Sequence, residues 1–188
     1  MQINTSQQNA DLPPALPGEL LMWVLIVSEI MVFGAGLIAF MSVRLTDPIG
    51  FADAQSYLNR TSATLNTGIL VTSGYLAARA LLWRHAGERA YARFSLLGSA
   101  GLGVVFIVIK ATEFADKTAK GITWETHPFF TFYYLLTGFH TAHVAAGIVL
   151  LLVVTWQDTP RNIEAGAQFW HMVDLVWILL FPIIYLVR

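Results

Sequence analysis

Long apolar stretches separated by short charged connections dominate the chain. A helix needs roughly 20 apolar residues to cross the hydrocarbon core of a bilayer. Five stretches approach that length: Leu20–Val43, Ala63–Trp83, Arg93–Glu113, Phe129–Trp156 and Gln168–Val187. Inside lipid, a helix satisfies its own backbone hydrogen bonds. The pattern therefore predicts an all-α integral membrane bundle of five transmembrane helices, a single domain over residues 20–188 without a soluble domain.

The residues before the first apolar stretch differ in composition. Residues 1–19 are rich in Gln and Asn and contain three prolines, so we expect a disordered polar tail there. An odd number of spans places the two termini on opposite faces. Arg84, Arg89 and Arg93 in the second connection favour a cytoplasmic N-terminus and a periplasmic C-terminus. The lysines near the third connection weaken that preference.

Composition excludes several classes of protein. Hydrophobic residues make up 56% of the 188 residues, charged residues 12%, and the mean hydropathy is +0.60. Soluble domains carry about 25% charged residues. The net charge of -1 argues against a nucleic-acid partner. Cysteine is absent, which excludes disulfides, iron–sulfur clusters held by cysteine and covalently attached c-type haem.

Small residues recur at four-residue spacing, a pattern typical of close helix packing in membranes. They lie in the second span at Gly74 and Ala78, in the third at Ser99 and Gly103, and in the fourth at Gly138, Ala142 and Ala146. We expect these stripes to face other helices.

Ionisable residues inside the predicted spans are the candidate functional residues, because they are costly in lipid. They are Glu29, Lys110, Glu113, His140, His143, His171 and Asp174. At about 1.5 Å of rise per residue, Glu29, His143 and Asp174 fall at similar depths. We therefore expect one polar cluster of Glu29, His140, His143 and Asp174, with His171 just below. Lys110 and Glu113 lie near the opposite edge, where a lysine can extend toward the interface.

Four interpretations of that cluster remain open on the residues alone. His and carboxylate side chains can bind a metal, but no Glu-x-x-His pair of the di-iron type occurs inside a span. A haem b held by two histidines would need His140 or His143 opposite His171, at depths that disagree. Glu29 could handle protons, because burial favours a protonated carboxyl. The groups could instead satisfy each other and hold helices together, with hydrogen bonds from His140 and His143 to Glu29 and Asp174.

The ordered polar motifs resemble subunit III of cytochrome c oxidase and its relatives. The matching segments cover residues 20 to 187. They are Trp23–Gly34 with its buried Ser28-Glu29, Leu65–Gly74 with Asn66-Thr67, Glu113-Phe114, Phe129–Val144 with His140 and His143, and Phe169–Trp177 with His171 and Asp174.

The resemblance implies a subunit without haem, copper or a catalytic residue of its own, in the cytoplasmic membrane of a bacterium. Such a subunit would pack against a haem-copper catalytic subunit and support proton supply or sustained turnover. It would also bind structural phospholipid in a cleft between its first two helices and the last three. Glu29 corresponds to the carboxylate that the family directs at the neighbouring subunit, and Glu113, His140, His143, His171 and Asp174 are the other buried polar positions.

The chain also departs from the longest family members. It has five spans instead of seven, Lys110 stands where the family often has Gln, and the chain stops close to the end of its last span. These features are similar to five-helix quinol oxidase subunits and, more closely, to the accessory subunit of nitric oxide reductase. The alternative from another class is a haem b and quinone-binding membrane anchor of a dehydrogenase.

Overall fold

A computed structural model describes residues 20–187, and these residues are almost entirely helical. The predicted tail at residues 1–19 lies outside the described residues. The helices are α1 (Leu20–Arg44), α2 (Pro48–Ser56), α3 (Arg60–His85), α4 (Arg89–Ala119), α5 (Pro128–Gln157) and α6 (Pro160–Phe181), followed by a π-helical turn (Pro182–Leu186). Within the described range no strand occurs. The predicted all-α fold is confirmed.

Local sequence signals determine where several helices begin. Asn59 caps α3 by accepting a hydrogen bond from the backbone N–H of Ser62 at 3.1 Å. Helices α2, α5 and α6 each begin at a proline, which lacks the N–H that would be left without a partner in the first turn. Asp158, with φ of 50°, ends α5 in the left-handed conformation. The connections are consequently short and place consecutive long helices side by side.

Within residues 20–187, four helical segments are long and apolar enough to cross a membrane: residues 22–44, 89–119, 128–157 and 160–186. The remaining long helix, α3, has 26 residues but is rich in hydroxyl side chains and is not among the four. The structure thus confirms four of the five predicted spans by length and composition. It also adds the nine-residue helix α2, which the sequence analysis did not predict because its nine residues are too few for a span.

The helices do not pack as the two groups, first two spans and last three, that the family resemblance implied. Helix α3 packs against α4 and α6, whereas α1 lies at the periphery against α5 and α6. The expected division between the first two spans and the last three is therefore not found. Each of the first two spans joins a different part of the bundle.

Glycines allow the closest helix contacts around one tryptophan. A Cβ at Gly103 of α4 would lie 2.6 Å from the Trp170 ring, and one at Gly147 of α5 would lie 2.7 Å from it. The indole Nε1 donates a hydrogen bond to Ser73 of α3 at 2.9 Å. One side chain of α6 thus joins three other helices. Gly138, in the small-residue stripe of α5, is not at a close helix contact, since a Cβ there would meet no atom within 4 Å.

The π-helical turn after α6 is fixed by side chains from α1 and α2. The amide of Gln55 in α2 donates hydrogen bonds to the carbonyls of Ile184 and Val187, each at 2.9 Å. The guanidinium of Arg44, at the end of α1, also donates to the Val187 carbonyl. These contacts hold the π-helical turn in place. They position Tyr185, which enters the candidate site.

Candidate functional site

Lys110 of α4 is fully buried and makes three polar contacts. Its Nζ donates to Glu113 Oε2 at 2.9 Å, to the Tyr133 hydroxyl at 3.3 Å and to the Tyr185 hydroxyl. The Tyr185 hydroxyl lies 3.1 Å and 3.2 Å from the two Glu113 carboxylate oxygens. The expectation that Lys110 extends to the membrane edge is wrong. Inside the bundle, Glu113 and the two tyrosine hydroxyls act as the polar partners that a lysine otherwise finds at the membrane–water interface.

Aromatic rings complete the surroundings of the Lys110 ammonium group. Its Nζ lies 4.8 Å from the centre of the Tyr133 ring, 5.1 Å from Phe114, 5.2 Å from Tyr185 and 5.5 Å from Trp177. A cation near the face of an aromatic ring is stabilised by about 0.5–2 kcal/mol. Charge, hydrogen bonds and rings together compensate for the lost hydration. We call Lys110, Glu113, Tyr133 and Tyr185 the lysine cluster.

A second buried lysine borders the lysine cluster. The Nζ of Lys117 donates to the Tyr57 carbonyl at 3.1 Å and lies 3.9 Å from Glu113 Oε1. Lys117 and Glu113 both line a cavity of about 450 Å³, which Asn59 and Lys120 also border. Glu113 therefore faces Lys110 on one side and this cavity on the other. Two ammonium groups share a single buried carboxylate here.

Glu29 of α1 and His143 of α5 form a separate pair. Their atoms Oε2 and Nε2 are 3.2 Å apart, with 21% and 19% of the side chains exposed. The predicted contact is present, but without the geometry of a hydrogen bond. His143 Nδ1 lies 2.9 Å from the Phe139 carbonyl, which can only accept, so Nδ1 carries a proton. An attractive contact with Glu29 then requires a second proton, on Nε2 or on the carboxyl group.

His140 lies one helical turn from His143 but has a different environment. It is fully buried, and neither ring nitrogen has a hydrogen-bond partner within residues 20–187. Its ring stacks on Trp177 with a centroid distance of 5.2 Å and meets Phe106 edge-on at 5.6 Å. The predicted hydrogen bond from His140 to a neighbouring helix is wrong. Aromatic packing, and not a carboxylate, occupies the space around this ring.

Asp174 and His171 of α6 form a third group against α3. Asp174 Oδ2 lies 4.0 Å from His171 Nδ1, and 46% of the His171 side chain is exposed. Asp174 Oδ1 is buried without a hydrogen-bond partner in the described part of the chain. A Cβ at Gly74 would lie 2.2 Å from Asp174 Oδ2, so a larger residue here would displace the Asp174 carboxylate. The expected single cluster is therefore two pairs and an isolated histidine.

Sequence reasoning missed several members of these sites. Tyr133, Tyr185 and Lys117 were not singled out, because a tyrosine in an apolar span and a lysine near its end are both common. The available signal was their placement at the same end of the bundle as Lys110. Groups of three or more His, Cys, Asp or Glu side chains able to hold a metal ion are not found in the described segment.

Comparison with known proteins establishes the family. The chain matches the family described as "Cytochrome c oxidase subunit III" over residues 18–187, which is nearly the whole sequence. The chain belongs to the cytochrome c oxidase subunit III family.

Relatives within the subunit III family include proteins from several oxidases. Cytochrome c oxidase subunit 3 of Corynebacterium diphtheriae is 31% identical over 180 residues, covering 88% of this chain and 86% of that protein. Cytochrome bo(3) ubiquinol oxidase subunit 3 of Pseudomonas aeruginosa is 27% identical, covering 87% and 82%. Heme-copper oxidase subunit I+III of Aeropyrum pernix is 29% identical over 88% of this chain but only 22% of its own length. The names of these relatives include both cytochrome c and ubiquinol oxidases.

Proposed function

We propose that this subunit III family member is a non-catalytic subunit of a haem-copper oxidase complex, without a redox cofactor of its own. It would bind the catalytic subunit laterally and support proton supply or sustained turnover. The family match supports the general role, and the name of the Aeropyrum relative joins subunits I and III in one protein. The single structural observation behind the contact is the Glu29–His143 pair. It joins the peripheral helix α1 to α5, and part of each side chain is exposed.

The exposed part of this pair supports α1 as the contact surface. Ionisable groups directed at lipid tails would be costly, and a neighbouring protein would cover them. Val32 lies one helical turn beyond Glu29 and is 54% exposed, whereas Val108 on α4 is 55% exposed on another helix. A photo-crosslinking residue at Val32 should yield an adduct with the catalytic subunit, and one at Val108 should not. Equal adducts from both positions would contradict this orientation.

Deletion tests the accessory role directly. Because this chain would contribute no ligand, the haem spectrum of the catalytic subunit should be unchanged in its absence, while turnover should decline faster during prolonged assays.

Glu29→Gln and Glu29→Ala should lower turnover or proton uptake while assembly survives, if this carboxyl group handles protons. Unchanged turnover in both variants would leave only a structural role for Glu29.

We also propose that α3 is the remaining one of the five predicted membrane spans. With 26 residues, α3 is roughly 39 Å long, enough to cross the bilayer. Several of its hydroxyl groups donate to carbonyls of the same helix, such as Thr67 to Ala63 at 2.9 Å and Thr72 to Gly68 at 2.8 Å. Satisfied in this way, they no longer oppose a lipid environment.

We propose a cytoplasmic N-terminus. Of the opposing charges at the C-terminal end of the bundle, Arg44, Lys110 and Lys117 are buried, and Lys120 is exposed. Arg89 and Arg93, in contrast, expose much of their side chains at the other end of the bundle. The chain has no cysteine, so single cysteines at Glu88 and Glu125 can be labelled without background. A membrane-impermeant maleimide applied from the periplasm should label position 125 and leave position 88 unlabelled.

The substrate of the complex is best assigned as oxygen, because the reported relatives are named as oxidase subunits. The sequence features had favoured an accessory subunit of nitric oxide reductase, which would have a role in denitrification. Co-purification from native membranes, followed by measurement of oxygen and nitric oxide consumption, separates the two assignments. A Soret band that follows the amount of purified chain would instead support the haem b anchor of a dehydrogenase.

A further inference from the structure

The cavity of about 450 Å³ beside the lysine cluster is lined mainly by polar side chains. Its walls come from the connection before α3, which contributes Tyr57 and Asn59, from Ser62 in the first turn of α3, and from the last turns of α4. Charged, hydroxyl and amide groups outnumber the apolar side chains around it. Since a water molecule takes about 30 Å³, the cavity has room for a small ion together with several waters.

Positive charges outnumber negative charges around this cavity. Lys110 donates to Glu113 at 2.9 Å, and Lys120 donates to Asp116 at 2.7 Å. Lys117 lies 3.9 Å from Glu113, which is beyond hydrogen-bond distance. In the described part of the chain, three ammonium groups therefore share two carboxylates here. The side chain of Lys117 is only 2% exposed, and a buried charge without compensation is strongly destabilising.

Several donors at this cavity are available to a ligand. An ammonium group has three N–H donors, and within residues 20–187 Lys117 uses one of them, to the Tyr57 carbonyl at 3.1 Å. The Ser62 hydroxyl group, which also borders the cavity, can donate another hydrogen bond. Asn59 is the N-cap of the 26-residue helix α3, so the positive end of that helix lies at the same place. Donors and partial positive charge together suit an anion.

We propose that this cavity binds a small inorganic anion of the chloride class, held by the Lys117 ammonium group, the Ser62 hydroxyl group and the first turn of α3. The anion would balance the charge of the third ammonium group. This inference is independent of the proposed accessory role, because the site lies within one chain and involves no contact with another subunit.

Chloride binding to the full chain in a non-ionic detergent tests the proposal. Sodium lactobionate, whose anion is bulky, holds the ionic strength constant while chloride is titrated. Wild type should broaden the chloride NMR line and unfold at a higher temperature as chloride increases. Lys117→Gln should raise the Kd for chloride about tenfold, and Ser62→Ala should raise it about fivefold.

Glu113→Gln gives the opposite sign. This variant removes the negative charge that competes with the anion for Lys117, so it should lower the Kd for chloride. A variant that folds poorly would not gain affinity. The result therefore tests the charge balance even if Lys117→Gln proves unstable.

Two matched variants control for general effects. The double variant Asp116→Asn with Lys120→Gln removes the exposed pair at the cavity and keeps the net charge. Ser56→Ala removes a hydroxyl group that donates to the Asp53 carbonyl at 2.6 Å and does not border the cavity. Both should bind chloride like wild type.

Three results would overturn the anion site. The first is a chloride line width and an unfolding midpoint that stay constant during the titration of wild type. The second is unchanged chloride affinity in Lys117→Gln, or weaker binding in Glu113→Gln. The third is displacement of chloride by dioleoylphosphatidylglycerol, which would assign the cavity to a lipid headgroup.

Discussion

The Lys110–Glu113 pair should make a large contribution to the stability of the bundle. Both residues are buried, and their charged atoms are 2.9 Å apart. Removing one partner of a buried ion pair typically costs 3–5 kcal/mol, because the other charge remains without compensation. The Tyr133 and Tyr185 hydroxyls remain as acceptors for Lys110. We therefore expect Glu113→Ala to cost about 3 kcal/mol, at the lower end of that range.

A double-mutant cycle separates the pair from other effects of the substitutions. Lys110→Met and Glu113→Leu should each destabilise the protein strongly. The double variant should cost less than their sum, because it leaves no unpaired charge at Lys110, and the remaining cost reflects the loss of the Glu113 carboxylate beside Lys117. The coupling free energy should be about 2–3 kcal/mol, near the upper end of the values measured for contacting residues. Reversible unfolding in mixed micelles, followed by circular dichroism, measures these free energies.

An exposed pair on the same helix is the control. Lys120 and Asp116 are 2.7 Å apart, and more than half of each side chain is exposed. Solvent screening makes the coupling of such a pair much weaker than that of a buried pair. The reasoning would be refuted if the buried pair showed no larger coupling than this exposed pair, or if Glu113→Ala were neutral.

Two further predictions concern positions that pack or ionise in specific ways. Gly74→Ala should destabilise by about 1–3 kcal/mol, because its Cβ would lie 2.2 Å from Asp174 Oδ2, and an unchanged unfolding free energy would contradict that contact. Asp47 lies between membrane segments, and hydrogen bonds from the Gly50 backbone N–H and from His127 lower the pKa of its carboxyl group below the ordinary value. A lowered folded-state pKa stabilises the fold above the unfolded-state pKa, and this stabilisation is lost as the pH falls through the folded-state pKa. The wild type should therefore have a higher unfolding midpoint than Asp47→Asn near pH 7, and this difference should shrink below pH 4. A difference that stays constant with pH would show that ionisation of Asp47 does not contribute to stability.

The sequence alone was sufficient for the membrane environment, the helical class and the family. A span must be long, apolar and internally hydrogen-bonded, and these requirements can be read from neighbouring residues. Helices α4 and α5 accordingly contain the predicted spans 93–113 and 129–156. Motif order, such as the positions of Glu29 and His143, indicated the family before any geometry was known. Helix α2 was missed because nine residues carry too little signal.

Only the tertiary structure determined how the polar residues combine. Depth along a helix follows from residue number, but the direction of a side chain depends on how each helix rotates and packs. Glu29 and His143 were correctly predicted to lie together because they share a depth. His140, one turn away, points in another direction and packs against Trp177 and Phe106. Two partners of Lys110 are distant in sequence: Tyr185 is 75 positions away and reaches the cluster because Gln55 holds the π-helical turn in place, and Tyr133 lies on α5. Such contacts depend on long-range packing, which has no counterpart in local sequence pattern.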